Sequence, residues 1–318
     1  MSSAAGNAKP LITIVIASLC NEARSDLLRR ACDSIRAMAG DLPYSIMVVA
    51  NGRNVDARVL EWLGERADVQ LVRLQSGSHP LARRVGAEMA DSELLGFIDD
   101  DDELMPDTLA QKLAYFREHP DVDVLVTDGL RINGSSVTRI FPPGGERSTD
   151  LVETMMRASW GAGALTLRLR NVDLAAFDAE CRHMEWTLTA LQLTRHHAVG
   201  YLDEPTYRYY EDTPNSLSKL ANHNLAGPAV WRRLSEAYAG TRYEQMVRRR
   251  YGTVCHAVSW ECSRRGKMGD AWRFHAESLR CPGGLSYMPL TAKLLLLSLR
   301  GTSPKKMAAM QDPKRTPS

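Results

Sequence analysis

The first 130 residues alternate between two hydrophobic periods. Residues 11–17 form a continuous apolar run rich in Ile and Val, the pattern of a strand buried on both faces. Ser25 is placed to cap a helix that carries Leu28, Ala31, Ile35 and Met38 on one face. The alternation then repeats. Strands are expected over 45–49, 69–74, 94–98 and 122–127, and helices over 56–66, 80–89 and from Pro106 onward, with Leu109, Leu113 and Phe116 on one face. Strands separated by helices of about ten residues imply βαβ units and a mostly parallel sheet. In such sheets ligands sit beyond the carboxyl ends of the strands. The loops after Ala17, Val49, Leu74 and Ile98 are therefore the ones to watch.

After Gly129 the pattern changes. Residues 131–141 carry an Asn133-Gly134 turn and read as a hairpin. A short strand over 164–169, a helix over 185–194 and a strand over 198–202 follow. From Asn224 onward the pattern is helical, and residues 257–282 resemble one copy of a helical-hairpin repeat. The division expected is a catalytic α/β domain over 1–222 and a helical region over 223–318.

Composition removes several classes. At 44% hydrophobic and 25% charged residues, the 318-residue chain is neither disordered nor fibrous. Its longest apolar stretches, 11–19 and 294–299, fall short of the roughly 18 residues a spanning helix needs. The first has only Lys9 ahead of it and no small-residue cleavage pattern, so a buried strand is expected there and not a leader. Six cysteines, none in a C-x-x-C pair, argue against a disulfide scaffold or a structural zinc site and for a reducing, cytoplasmic setting.

The net charge of +2 hides an asymmetry. From Arg242 to the end there are 15 basic and 5 acidic residues; the preceding 241 residues hold 25 basic and 33 acidic. A basic tail on an acidic body suits an anionic partner, either peripheral contact with the inner face of a membrane or a nucleic acid, for which no motif is present; Arg-rich helices that are simply solvated are the alternative. Residues 289–300 form an apolar helix with Lys293 and Arg300, followed by Lys305-Lys306. Docking on lipid, packing on the body and a dimer face all remain open for it.

The densest chemistry is Asp99-Asp100-Asp101-Asp102-Glu103, directly after the apolar 94–98 run. Five adjacent acids repel one another unless a cation offsets them. Hard oxygen ligands suit Mg²⁺ or Mn²⁺, which suit phosphate oxygens in turn. An EF-hand is excluded by the spacing, and neither a Walker loop nor a G-x-G-x-x-G follows the first strand.

Six blocks in order resemble family 2 glycosyltransferases of the GT-A (Rossmann-like) fold. They are residues 14–22 ending in Asn21-Glu22, Val48-Val49-Ala50-Asn51-Gly52, Gly77 with Ala82-Arg83 and Gly86, Phe97 to Asp102 with Pro106, Met184-Glu185-Trp186-Thr187-Leu188, and residues 200–218. The resemblance implies an inverting, metal-dependent transfer from a nucleoside-diphosphate sugar, a UDP-sugar favoured, to an acceptor hydroxyl or amine. Glu185 would be the general base. Ala17, Ser18, Asn21, Glu22, Asn51, Arg83, Asp99 and Asp100 would line the donor site. Asp101 and Asp102 would hold Mn²⁺ or Mg²⁺, and Trp160 and Trp186 would line an acceptor pocket. The acceptor, whether glycan, glycolipid, carrier-bound or small molecule, is left open.

The chain departs from that pattern in three places. Ala50 replaces the acid that commonly reads a uracil edge, Met184 replaces the first acid of a Glu-Asp pair, and Glu211-Asp212 stand where many members carry a histidine. These departures keep a non-catalytic scaffold as the alternative. A nucleotidyltransferase is a second one, though the Gly-rich basic first loop of such enzymes is absent.

Overall fold

The structure, a computed structural model of the chain, describes residues 9–141, 150, 152–154, 161–181, 184–213 and 224–300. Two compact units are present, Met1–Ser216 and Leu217–Ser318. The expected boundary between 222 and 223 lies outside the described residues, as do Trp160, His183 and the 214–218 part of the last motif block.

Among its described residues the first unit holds nine strands in chain order: β1 (Ile12–Ser18), β2 (Tyr44–Asn51), β3 (Val69–Leu74), β4 (Leu94–Asp99), β5 (Glu103–Leu104), β6 (Val124–Asn133), β7 (Ser136–Arg139), β8 (Leu165–Arg168) and β9 (Val199–Tyr210). Its longer described helices are α1 (Ser25–Ala39), α2 (Ala57–Gly64), α3 (His79–Met89), α4 (Thr108–Glu118) and α5 (Glu185–His196). The sheet order is β3-β2-β1-β4-β8-β6-β9-β5, with β7 paired to β6. From β3 to β4 every pairing is parallel, as the βαβ pattern requires. Beyond β4 the sheet is mixed: β8 runs antiparallel to both β4 and β6, β9 parallel to β6, and β5 antiparallel to β9. Helices flank this sheet, giving the α/β architecture expected. The 198–202 strand extends to Tyr210, because the chain continues along β6 through a register shift after Thr127.

Every residue of β1 is buried, consistent with a strand covered on both faces. Helix α3 lies close enough that a Cβ on Gly86 would come within 2.5 Å of Val15, so only glycine fits that crossing. Ser25 is the first helical residue of α1 and not its cap. Asn21 instead accepts from the Arg24 N–H at 3.1 Å and caps the short 3₁₀ turn that leads in. Asp56 and Ser78 cap α2 and α3 through their side chains. The Asn133-Gly134 turn joins β6 to β7 as expected, with Gly134 at φ 55°.

The second unit is helical: α6 (Gly227–Ala237), α7 (Glu244–Arg264), α8 (Met268–Leu279) and α9 (Met288–Arg300). Val258 and Cys262 of α7, Ala271 of α8, and Leu290 and Leu294 of α9 form its core. Helices α7 and α8 make the hairpin expected, turning at Gly266 (φ 73°) and tied by Ser259 donating to the Ala271 carbonyl at 2.7 Å. His275 shares a 2.7 Å hydrogen bond with Thr291, which ties α8 to α9. No helix among the described residues is long and apolar enough to cross a membrane.

Candidate active site

Parallel strands end together at one edge of a sheet. The register aligns Ala17 with both Val49 and Asp99, and Asn51 with Leu74. The carboxyl ends of β1, β2 and β4 and the loops that follow them, which together carry most of the sequence-predicted donor residues, therefore share one rim.

The acidic run after β4 folds into a tight turn, with the Asp102 N–H donating to the Asp99 carbonyl at 3.1 Å. Its four aspartates do not share one fate. Asp100 is 2% exposed and turns inward. It accepts from the Ser18 hydroxyl at 2.6 Å and from the Arg24 guanidinium, which also reaches Asp101 at 3.2 Å. Arg30 donates to the Asp101 carbonyl at 2.6 Å and pairs with Glu103 at 2.8 Å. Asp102 is 1% exposed; one oxygen accepts the Tyr210 N–H at 3.1 Å and Oδ2 has no partner. Asp101, at 14%, is more open than either neighbour. Burial, then Asp99, pushes the Asp101 carboxyl up to about 6 despite Arg24. Burial and the repulsion of Asp99 and Asp101 hold Asp102 well above the usual carboxylate range.

Asp99 points the other way, to Arg83. This buried arginine donates to Asp99 at 2.6 Å and to Glu185 at 2.5 Å, joining two acids 86 residues apart in sequence. Burial pulls the guanidinium pKa down, but Asp99 and Glu185 outweigh it and raise it. The guanidinium lies 4.6 Å from the ring centroid of Trp186, which packs edge-on against Phe97. Trp186 therefore braces Arg83 from α5. Glu185 is the first residue of that helix, and Met184 before it takes a left-handed conformation at φ 57°. That turn aims the start of α5 at Arg83.

Asn51 is fully buried; its amide donates to the Ser18 carbonyl at 3.2 Å and its Oδ1 has no partner. Ala17 is packed inside the sheet, and Glu22 is exposed and joins none of these contacts. Arg84, the other basic residue on α3, pairs with Glu88 and takes no part. Glu211 and Asp212 engage the β6–β7 hairpin through Asn133 and the Gly134 N–H. The thiol next to this rim, Cys20, is pushed up to about 11 by burial, against the pull of Ser18, so no thiolate nucleophile stands here.

Sequence reasoning missed Arg24, Arg30, Tyr210 and His79. Asking which cations offset five adjacent acids would have found the first two, since the turn after Asn21 presents Arg24 and α1 presents Arg30. Tyr210 acts through its backbone, and no sequence signal marks that. His79 opens α3; burial and Arg83 lower its pKa, while Asp100, Asp99 and Glu185 draw it back.

Residues 14–149 match the family model described as Glycosyl transferase family 2. The chain is similar to the crystal structure of S. aureus TarS 1–349, at 16% identity over 84% of this chain and 80% of that one, with TM-score 0.60. It is similarly related to the same protein in complex with UDP-GlcNAc (15%, 84% and 81%, TM-score 0.62) and in complex with UDP (15%, 84% and 80%, TM-score 0.60). At this identity the likeness establishes a shared fold. No curated protein matches the chain.

Proposed function

We propose, from the premise that residues 14–149 belong to glycosyl transferase family 2, that this glycosyltransferase moves a sugar from a nucleoside diphosphate to an acceptor hydroxyl or amine in one inverting displacement. The observation that carries the reading is the Arg83 bridge, which ties the acid loop after β4 to Glu185 on α5. One guanidinium thereby fixes the distance between donor-side and acceptor-side carboxylates before any ligand arrives, and such fixed geometry is what transfer chemistry needs.

In this reading Glu185 takes the acceptor proton as the acceptor oxygen attacks the anomeric carbon. Inversion follows from a single displacement, which needs no enzyme nucleophile, in keeping with the raised Cys20 thiol. Asp99 meets the donor ribose or sugar, and Asn51 Oδ1, a buried acceptor without a partner, is suited to a base N–H. TarS holds UDP-GlcNAc and UDP, which supports a UDP-sugar as donor here.

The residues present fit a divalent ion. The donor set is hard oxygen, and Asp102 Oδ2 is buried with no partner. No three His, Cys, Asp or Glu side chains among the described residues converge as a metal site. A pair of carboxylates completed by diphosphate oxygens is a common arrangement for Mg²⁺. Asp101 and Asp102 would hold Mn²⁺ or Mg²⁺, and the bound ion would supply Lewis-acid stabilisation of the departing diphosphate.

The test is UDP release from a panel of sugar nucleotides. Glu185→Gln should lower turnover by about 10²-fold or more while donor affinity changes little. Turnover that survives this substitution would remove Glu185 from the role of base.

A further inference from the structure

Helix α9 has two unlike faces. Its inner face is fastened to the second unit: Leu290 and Leu294 enter the core, Thr291 meets His275, and Ser298 accepts from the Trp272 indole at 3.1 Å. Its outer face carries Met288, Leu295, Leu296 and Leu299, and Leu285 stands on the turn just before it. All five are exposed, Leu285 at 82% and Leu299 at 83%. Positions 288, 295 and 299 fall on one stripe of a 3.6-residue helix, with Leu296 beside them. Soluble surfaces rarely concentrate large aliphatic side chains in this way.

Charge decides what covers the stripe. The Leu217–Ser318 unit carries 18 Lys and Arg against 6 Asp and Glu, a net of +12. Lys293 stands exposed on the flank of the stripe, its ammonium 3.6 Å from the Trp260 ring centroid. Arg249 is exposed beside Gly283, two residues before Leu285. A second copy packed on this face would bring +12 against +12. An anionic bilayer would meet the same charge with attraction while taking up the leucines.

We infer that the outer face of α9 is a peripheral docking surface for an anionic lipid bilayer, with the leucines entering the acyl boundary and Lys293 and Arg249 meeting phosphate headgroups. The inference stands on the second unit alone and holds whichever sugar the first unit transfers.

The experiment is co-sedimentation of the full chain with phosphatidylcholine vesicles, with and without phosphatidylglycerol. The chain should bind the anionic vesicles at least about tenfold better than the neutral ones, and lose that binding as salt is raised. Leu295→Glu with Leu299→Glu should reduce binding about tenfold or more, and the milder Leu299→Gln by a smaller factor, with melting and sugar-nucleotide hydrolysis unchanged. Equal binding to neutral vesicles, no binding to either, or full binding by the double variant would overturn the assignment. So would sedimentation velocity showing that the double variant turns a dimer into a monomer, because the stripe would then belong to a copy contact.

Discussion

The two halves of the sheet solve opposite problems. The parallel half, β3-β2-β1-β4, is an apolar interior with charge gathered at one rim, where every acid of the loop except the open part of Asp101 and one oxygen of Asp102 is already committed. The mixed half, β8-β6-β9-β5, buries polar groups inside its packing. Tyr207 is fully buried with its hydroxyl accepting the Gly161 N–H at 3.2 Å, and a Cβ on Gly163 would come within 2.5 Å of its ring. Lys112 is buried and donates to the Gly163 carbonyl at 2.8 Å. The first half gathers charge at its rim; the second uses buried polar groups to fix the backbone at Gly161 and Gly163. Damage in the two halves should therefore differ in kind as well as in size.

The largest effect should come from the link into the rim. Arg83→Met leaves Asp99 and Glu185 facing each other without their cation, a loss of about 3–5 kcal/mol of stability, together with loss of turnover. Urea denaturation measures the first, and a cost below about 1 kcal/mol would show that the bridge is not formed.

Lys112 sharpens the contrast through pH. Burial pulls its ammonium down to about 7, so between about pH 7 and 10 the unfolded chain binds a proton there that the folded chain does not. Stability from this group should rise with pH across that window, by up to roughly 1.4 kcal/mol per pH unit. Lys112→Met should lose that slope, so its unfolding free energy should fall relative to the parent's as pH rises from about 7 to 10. Parallel pH profiles for the two proteins would mean that the ammonium is solvated.

Gly163→Ala should cost about 1–3 kcal/mol by pushing Tyr207 out of its slot, with donor affinity little changed. A larger effect on donor binding than on melting would connect the two halves more tightly than the contacts imply. The smallest effect belongs to the helix surface: Arg84→Ala, which breaks the exposed Arg84–Glu88 pair, should change stability by no more than about 0.5 kcal/mol and leave turnover intact.

The same contrast explains what could be read in advance. The parallel half is built from local patterns. A buried run such as residues 11–17 has few other options, and the loop after each such run is placed by topology, so Asp99, Asn51 and Arg83 could be named together. Most of the mixed half is set by distant pairings. The extension of β9 to Tyr210 depends on β6, and Tyr207 depends on glycines up to 78 positions away. Within the site, the sequence marked the acids because they are adjacent, but not that Asp100 would turn inward to Arg24 and Asp99 outward to Arg83. That choice follows from which cations the turn before α1 and helix α3 present once folded. Glu185 was legible through its flanking Trp186 and Leu188, while its partner was not, since nothing local joins residue 83 to residue 185.

Isothermal titration of UDP-GlcNAc with Mn²⁺ tests the central claim most directly. The account predicts heat of binding that requires the ion, disappears in Asp101→Ala and persists in Glu185→Gln. Equal heat without any divalent ion, or undiminished heat in Asp101→Ala, would contradict it.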